Sequence, residues 1–293
     1  MKFNIENETI SVAINQKGAE FAGIKSKASG TEYLWQADPA HWGRHSCILF
    51  PFVGRLKNDE YKFEGKTYQL PQHGFARNLD FEIESQSKSH ISLVLKESEE
   101  TLKTYPFSFV LKAIYEVKGN TLSIGYEVEN PSDNKDLYFS IGAHPAFNCP
   151  IDPAKKRSDY QLVFSEKETA KRLLIGDGGL YTGETEKTLD NQDFLPITDN
   201  LFAQDALVFD SLKSDTISIQ SGSELPKLSV GFKGFPHMGI WSKNSESPFV
   251  CIEPWFGLAD STDHNGDFTK KTGMIKLAPK GKFSCEHTVS IEE

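Results

Sequence analysis

Phe109-Val-Leu-Lys-Ala-Ile-Tyr-Glu-Val-Lys-Gly-Asn-Thr-Leu-Ser-Ile-Gly-Tyr-Glu-Val128 alternates apolar and polar residues twice, on either side of Lys118-Gly-Asn-Thr121. Leu111, Ala113, Tyr115 and Val117 fall on one face of the first run, and Leu122, Ile124, Tyr126 and Val128 on one face of the second. A period of two is the signature of half-buried strands, because successive side chains of a strand point to opposite faces. Gly119 and Asn120 tolerate the positive φ of a tight turn, so the segment reads as a β-hairpin. The same logic makes Glu64-Gly-Lys66 the turn between Tyr61–Phe63 and Thr67–Leu70.

Further strand candidates are Ile10–Ile14, Ile91–Leu95, Leu137–Ala143, Tyr160–Phe164, Ala206–Phe209, Thr216–Ser221, Leu228–Phe232, Met238–Ser242, Phe249–Ile252 and His287–Ile291. Helical periodicity is confined to single turns near Glu97–Thr104 and Asn200–Asp205, too short to cover a sheet. Two antiparallel sheets are therefore expected to bury each other in an all-β fold. Gly176–Asp199, rich in Gly, Thr, Asp and Glu, reads as a long excursion over the surface. The strand pattern resumes after it without a change of composition, so residues 1–293 are expected to form one domain. No repeat is visible, which disfavours propellers and solenoids.

The 293 residues include 21 Phe, 9 Tyr and 4 Trp, enough large side chains for a substantial core, while a charged fraction of 25% fits a soluble protein. No basic segment followed by a long apolar stretch opens the chain and no later segment could span a bilayer as a helix, so a cytoplasmic protein without membrane partners is expected. A formal net charge of −9, with no basic run longer than Lys155-Lys-Arg157, weighs against nucleic acid as a partner. Cys47, Cys149, Cys251 and Cys285 are too dispersed for a zinc ribbon or a thioredoxin motif and read as reduced, buried thiols.

Two titratable residues sit where an extended run meets a proline: His144 in Ser140-Ile-Gly-Ala-His-Pro-Ala-Phe147 and Glu253 in Val250-Cys-Ile-Glu-Pro-Trp-Phe-Gly257. Both are expected at strand ends. Alternation groups His144 with Tyr138, Ser140 and Gly142, a small polar face with room for a hydroxylated ligand, against the blander reading of a core histidine bonded to a carbonyl. Glu253 shares its face with Phe249 and Cys251, where a carboxylate is costly to bury without a partner or a purpose. His73 lies in Leu70-Pro-Gln-His-Gly-Phe-Ala-Arg77, between a proline that restricts the backbone and a glycine that frees it. Arg55 and Arg77 offer rigid forks of donors for neighbouring hydroxyls, and Trp255 or Trp241 an apolar face for a pyranose; surface arginines and core tryptophans are the plainer readings.

Other patterns carry less. His41-Trp-Gly-Arg-His45 has the spacing of a zincin pair but no intervening glutamate, and Asp260-Ser-Thr-Asp-His-Asn-Gly-Asp267 lacks the downstream glutamate of an EF-hand and reads as a solvated loop. Walker A, dinucleotide-binding and nucleophile-elbow patterns do not occur.

Leu49-Phe-Pro-Phe-Val-Gly-Arg55, Leu70-Pro-Gln-His-Gly-Phe-Ala-Arg77, Gly142-Ala-His-Pro-Ala-Phe147 and Cys251-Ile-Glu-Pro-Trp-Phe-Gly-Leu-Ala-Asp260 together resemble the aldose 1-epimerase (galactose mutarotase) family, most closely its LacX-like branch. The resemblance spans nearly the whole chain. It implies a single-domain antiparallel β-supersandwich and an enzyme that opens and recloses an aldose ring to exchange its anomers, without metal or redox cofactor. It also implies His144 as general acid at the ring oxygen, Glu253 as general base at the anomeric hydroxyl, His73 as the supporting histidine, and Arg55 and Asp205 as sugar-binding residues. Well-characterised galactose mutarotases usually carry Glu-Thr-Gln where this chain has Glu253-Pro-Trp255, so the small-molecule partner stays open between a free aldohexose and a hexose phosphate. The phosphate would call on Lys57 or Arg77. A non-catalytic carbohydrate-binding sandwich is the reading from another class.

Overall fold

The computed structural model describes residues 1–293. The chain is all-β and antiparallel, with one short α-helix, Glu99–Thr104, in the first of the two places expected. That helix is closed by a reciprocal capping box: Ser98 Oγ accepts from the Thr101 N–H at 3.2 Å and Thr101 Oγ accepts from the Ser98 N–H at 2.8 Å. Residues 200–205 form turns instead. No helix is long and apolar enough to cross a membrane.

The expectation of two separate sheets is corrected by the pairing. Fourteen strands form one continuous sheet, running from Ser46–Leu49 through Ile141–Asn148, Phe249–Phe256, His237–Trp241, Leu207–Asp210, Gln161–Ile175, Thr216–Ser221, Glu224–Gly231, Lys282–Glu292, Thr121–Glu129, Val110–Lys118 and His90–Lys96 to Glu82–Gln86, with Tyr181–Pro196 attached to Gln161–Ile175. Gln161–Ile175 joins the two halves: Gln161–Phe164 pairs with Ile217–Gln220, whereas Arg172 and Leu173 pair with Phe209 and Val208. A strand of 15 residues is long enough to belong to both halves at once.

The sheet folds over so that its two halves close on one core. Phe256 and Phe283, on strands far apart in the sheet order, have ring centroids 5.1 Å apart; Phe139 lies 5.6 Å from Phe283, and Phe50 5.1 Å from Phe109. Such pairs add about 0.5–1.5 kcal/mol each beyond the area they bury. The hairpin over 110–129 forms as expected, with Leu122 opposite Val117 and Val128 opposite Leu111, and all eight of its core-facing residues are buried.

Gly176–Asp199 differs from expectation more sharply. Tyr181–Pro196 pairs with Gln161–Ile175 as a long hairpin whose register slips four times, and those irregularities hide a strand from a period-two search. Asp260, read as part of a solvated loop, is buried: Lys271 Nζ donates to its Oδ1 at 3.1 Å and to the Leu258 carbonyl at 2.5 Å.

His144 and Glu253 lie inside strands rather than at their ends. Ile141 and Gly142 pair with Phe256 and Trp255, and Ala146 to Asn148 with Cys251 to Phe249 in the same register, leaving an unpaired window between. Pro145 and Pro254 fall in that window, where their missing N–H groups remove ladder donors without ending either strand. Continuing the register across the window brings His144 directly opposite Glu253. The next strand sets Gly239 opposite Glu253 and His237 opposite Trp255.

Gly142 and Gly239 shape this face by lacking a Cβ. One added at Gly142 would stand 2.5 Å from Trp255 Cδ1, and one at Gly239 2.4 Å from Trp255 Cη2, so the indole lies across both. The space expected beside Gly142 for a ligand is thus filled by Trp255. Gly239→Ala is expected to lift that indole and destabilise the protein by about 1–3 kcal/mol; chemical denaturation measures this, and an unchanged midpoint would mean that the ring moves at no cost.

His287 is buried against Tyr126 (5.7 Å) and Phe235 (6.1 Å) with neither ring nitrogen hydrogen-bonded, and burial pushes its pKa down to about 3. The unfolded chain takes up this proton near 6.5, so the stability contributed by the neutral ring is complete above 6.5 and lost as pH falls towards 3. The slope from this one group approaches about 1.4 kcal/mol per pH unit. His287→Leu is expected to flatten the fall of Tm between pH 6.5 and the acid end of the scan, whereas parallel curves for the two proteins would assign acid lability elsewhere.

Candidate active site

A cavity of about 520 Å³ opens over the face that carries His144 and Glu253. His73, Arg77, Asp205, Trp241 and Trp255 also line it, so most of the residues considered for the site in the sequence converge there. Arg55 does not. Its guanidinium is 40% exposed and makes a two-pronged ion pair with Asp59 at 2.9 and 3.0 Å, and it is its backbone carbonyl that accepts, from the Asp260 N–H. The expectation that Arg55 clamps the ligand is corrected for a local reason: a carboxylate four residues on takes up its fork of donors. Arg77 supplies the guanidinium at the cavity.

The central pair is His144 Nε2 and Glu253 Oε2, 3.4 Å apart. His144 is 9% exposed and Glu253 1%, and neither His144 Nδ1 nor Glu253 Oε2 has a hydrogen-bond partner. Burial lowers His144 to about 3. Burial, reinforced by the charge of Asp205, holds Glu253 well above the usual carboxylate range. Both shifts favour the uncharged forms, a bare imidazole beside a protonated carboxyl, over the ion pair that the distance alone would suggest. The carboxyl proton therefore lies beside a neutral imidazole, within reach of exchange between the two groups.

His73 is held in a left-handed conformation, φ 66°. Its N–H donates to the Gly54 carbonyl at 2.8 Å, and the Gly54 N–H donates to His73 Nδ1 at 3.1 Å. This reciprocal bond fixes the tautomer: Nδ1 accepts, so the neutral ring carries its proton on Nε2. Burial, then the nearby His144, keeps His73 well below its usual pKa. The His73 ring stands edge-on to His144 at 5.7 Å, which places an N–H donor beside the central pair.

Asp205 also has a left-handed backbone, φ 69°, and its Oδ1 accepts from the Ala206 N–H at 2.7 Å. Trp255 forms the floor, its Nε1–H donating to the Ala143 carbonyl at 3.2 Å. The aromatic walls come from Trp42, stacked on His144 at 4.8 Å, and Trp241, edge-on to it at 5.8 Å. Trp42, Gln72, Tyr181, Phe202 and Lys243 line the cavity without having been singled out. Trp42 lies inside His41-Trp-Gly-Arg-His45, whose histidines part company: His45 bonds Glu20 at 3.2 Å and His41 meets Trp35 edge-on. Tyr181 comes from the segment read as a surface excursion, and Phe202 from the one read as a single helical turn.

The arrangement can hold a hydroxylated ring against aromatic walls, exchange a proton at one point through His144 and Glu253, and donate hydrogen bonds from His73 and Arg77. Residues 1–276 match the aldose 1-epimerase family model. The LacX protein of Lactococcus lactis subsp. lactis is 34% identical over 298 residues, covering 99% of each chain. A galactose mutarotase related enzyme from Lactobacillus acidophilus superimposes with a TM-score of 0.95 at 37% identity, covering 100% of this chain and 98% of that one. A galactose mutarotase-like protein from Lactobacillus casei ATCC 334 gives 0.93 at 30% identity, with both chains fully covered. With a matched fold, full-length relatives and a polar cavity built by the four motifs, the chain belongs to the aldose 1-epimerase family.

Proposed function

We propose that this protein is an aldose 1-epimerase that interconverts the α- and β-anomers of an aldohexose, with residues 1–293 acting as one catalytic domain. The observation that carries the reading is the buried contact between His144 and Glu253 on the cavity wall, 3.4 Å apart on adjacent strands. Anomer exchange needs a proton removed from the O1 hydroxyl and one delivered to the ring oxygen O5 as the C1–O5 bond breaks. The open aldehyde then turns about C1–C2, and the reverse transfers close the ring on the other face.

Glu253 is the base at O1 and His144 the acid at O5, with His73 donating from Nε2 beside the ring. At rest the shared proton sits on the carboxyl. Passing it to the imidazole prepares the pair for ring opening, and microscopic reversibility uses the opposite assignment for closure. Arg77 and Asp205 hold hydroxyls, and Trp42, Trp241 and Trp255 enclose the apolar faces. Four unpaired cysteines agree with a cytoplasmic setting. A positioned acid or base contributes roughly 10²- to 10⁴-fold, or about 3–5 kcal/mol of barrier for each partner.

A hexose phosphate is the second reading, favoured by Arg77 and Lys243 on the cavity wall of an acidic protein. Lys57, also considered for that role, instead reaches the His264 carbonyl at 3.4 Å. The convergence of His144 and Glu253 weighs against a purely sugar-binding module, which has no use for a buried proton pair.

His144→Ala and Glu253→Gln are each expected to lower kcat at least about a hundredfold with folding preserved. Polarimetry of freshly dissolved α-glucose and α-galactose, with and without a 6-phosphate, reads this and ranks the substrates; near-normal rates in either variant remove that residue from the chemistry. The pH profile of kcat/KM offers an independent check. With His144 held near 3, the imidazole of the free protein stays unprotonated through the range where a solvated histidine charges. The acid limb is therefore expected well below 6.5, and the alkaline limb follows loss of the Glu253 proton at a pH well above 4.5. An acid limb near 6.5 would contradict the desolvated pair.

A further inference from the structure

Cys251 stands two residues before Glu253 on the same strand face, opposite Ala146 on the strand of His144. Its thiol, one nitrogen of His144 and one carboxylate oxygen of Glu253 all lie within 4.8 Å of one another, and all three residues are buried. His144 Nδ1 and Glu253 Oε2 are without hydrogen-bond partners, so the cluster holds donor capacity that the protein itself does not satisfy.

We propose that His144, Cys251 and Glu253 form a binding site for a thiophilic divalent cation of the zinc class, which shuts the cavity to sugar. Imidazole, thiolate and carboxylate are the ligand types zinc takes, at about 2.0–2.1 Å for nitrogen and about 2.3 Å for sulfur. Tetrahedral bonds of those lengths set ligand atoms roughly 3.3–3.8 Å apart, so the cluster closes by about an ångström through side-chain rotation. His144 and Glu253 line the cavity, so water from it would complete the shell. Cys251 is not part of the acid/base pair, and nothing in ring opening requires a thiol at this place.

Binding is a proton exchange. The Cys251 S–H and the Glu253 O–H bonds break, S–Zn and O–Zn bonds form, His144 gives its lone pair, and two protons leave to solvent. The metal then occupies both groups assigned to proton transfer, so the inhibitory part of the proposal rests on the epimerase reading, whereas the binding part does not. The same release makes binding tighten as pH rises.

Cobalt(II) and zinc(II) are the probes, added to the full-length protein after dialysis against a chelator. Cobalt is expected to give a thiolate-to-metal charge-transfer band in the wild type and in Cys47→Ala, and none in Cys251→Ala. Cys251→Ser serves as the second variant where alanine lowers Tm. Zinc is expected to inhibit mutarotation competitively with the sugar. In Cys251→Ala basal mutarotation persists, and the zinc needed for half-inhibition rises at least about tenfold, which is about 1.4 kcal/mol of binding. A band that survives in both Cys251 variants, or that follows Cys47 instead, overturns the site. Zinc inhibition equal in wild type and Cys251 variants overturns the inhibitory role. A wild type without mutarotase activity but with the Cys251-dependent band refutes the epimerase reading and leaves the metal site standing.

Discussion

The candidate site depends on one constraint: the register in which Ile141–Asn148 lies against Phe249–Phe256. Side chains of a strand repeat every two residues, so a slip of one position would turn either His144 or Glu253 into the apolar core. The register is held at both ends of the unpaired window, by Ile141 and Gly142 on one side and Ala146 to Asn148 on the other. It is locked by packing too, since Ile141, Ala143, Ile252 and Val250 point into the core while Gly142 accepts the Trp255 ring on the opposite face.

Within that frame the electrostatics follow from desolvation. An imidazole and a carboxyl 3.4 Å apart in water would form an ion pair, but here both are buried and the cost of holding two charges away from solvent moves the proton onto the carboxyl. Asp205, across the cavity, pushes in the same direction on Glu253. Trp42 lying over the His144 ring keeps water from one of its faces. A cavity that binds a neutral sugar gains from this, because the pair can give and take a proton without first shedding tightly held water.

Other features serve the same face at a distance. The buried ion pair of Asp260 and Lys271 ties down the segment that follows Glu253, and the Lys57 N–H donates to Asp260 Oδ2 at 2.9 Å, joining the Arg55 turn to it. Breaking such a pair on one side costs about 3–5 kcal/mol, because the remaining charge is buried without a partner. The Arg55 turn and the loop after Glu253 are thereby fixed relative to each other, although Lys57 and Asp260 are 203 positions apart in the chain.

The sequence by itself determined the strand class and the local geometry of the motifs. The alternation in Phe109–Val128 placed every core-facing residue of that hairpin, because a period of two is a local property of extended backbone. His73, His144 and Glu253 could be singled out because proline and glycine beside a titratable group leave a mark in the sequence. What the tertiary structure alone decided is whatever depends on pairing between distant segments. The closure of one sheet on itself, the bulged Tyr181–Pro196 strand, the filling of the Gly142 space by Trp255 and the arrival of Trp42 over His144 all belong to that class. Arg55 was lost to Asp59 and Asp260 was drawn inside by Lys271 for the same reason: an ionic group takes the nearest satisfying partner in three dimensions, and spacing along the chain does not reveal which one that is.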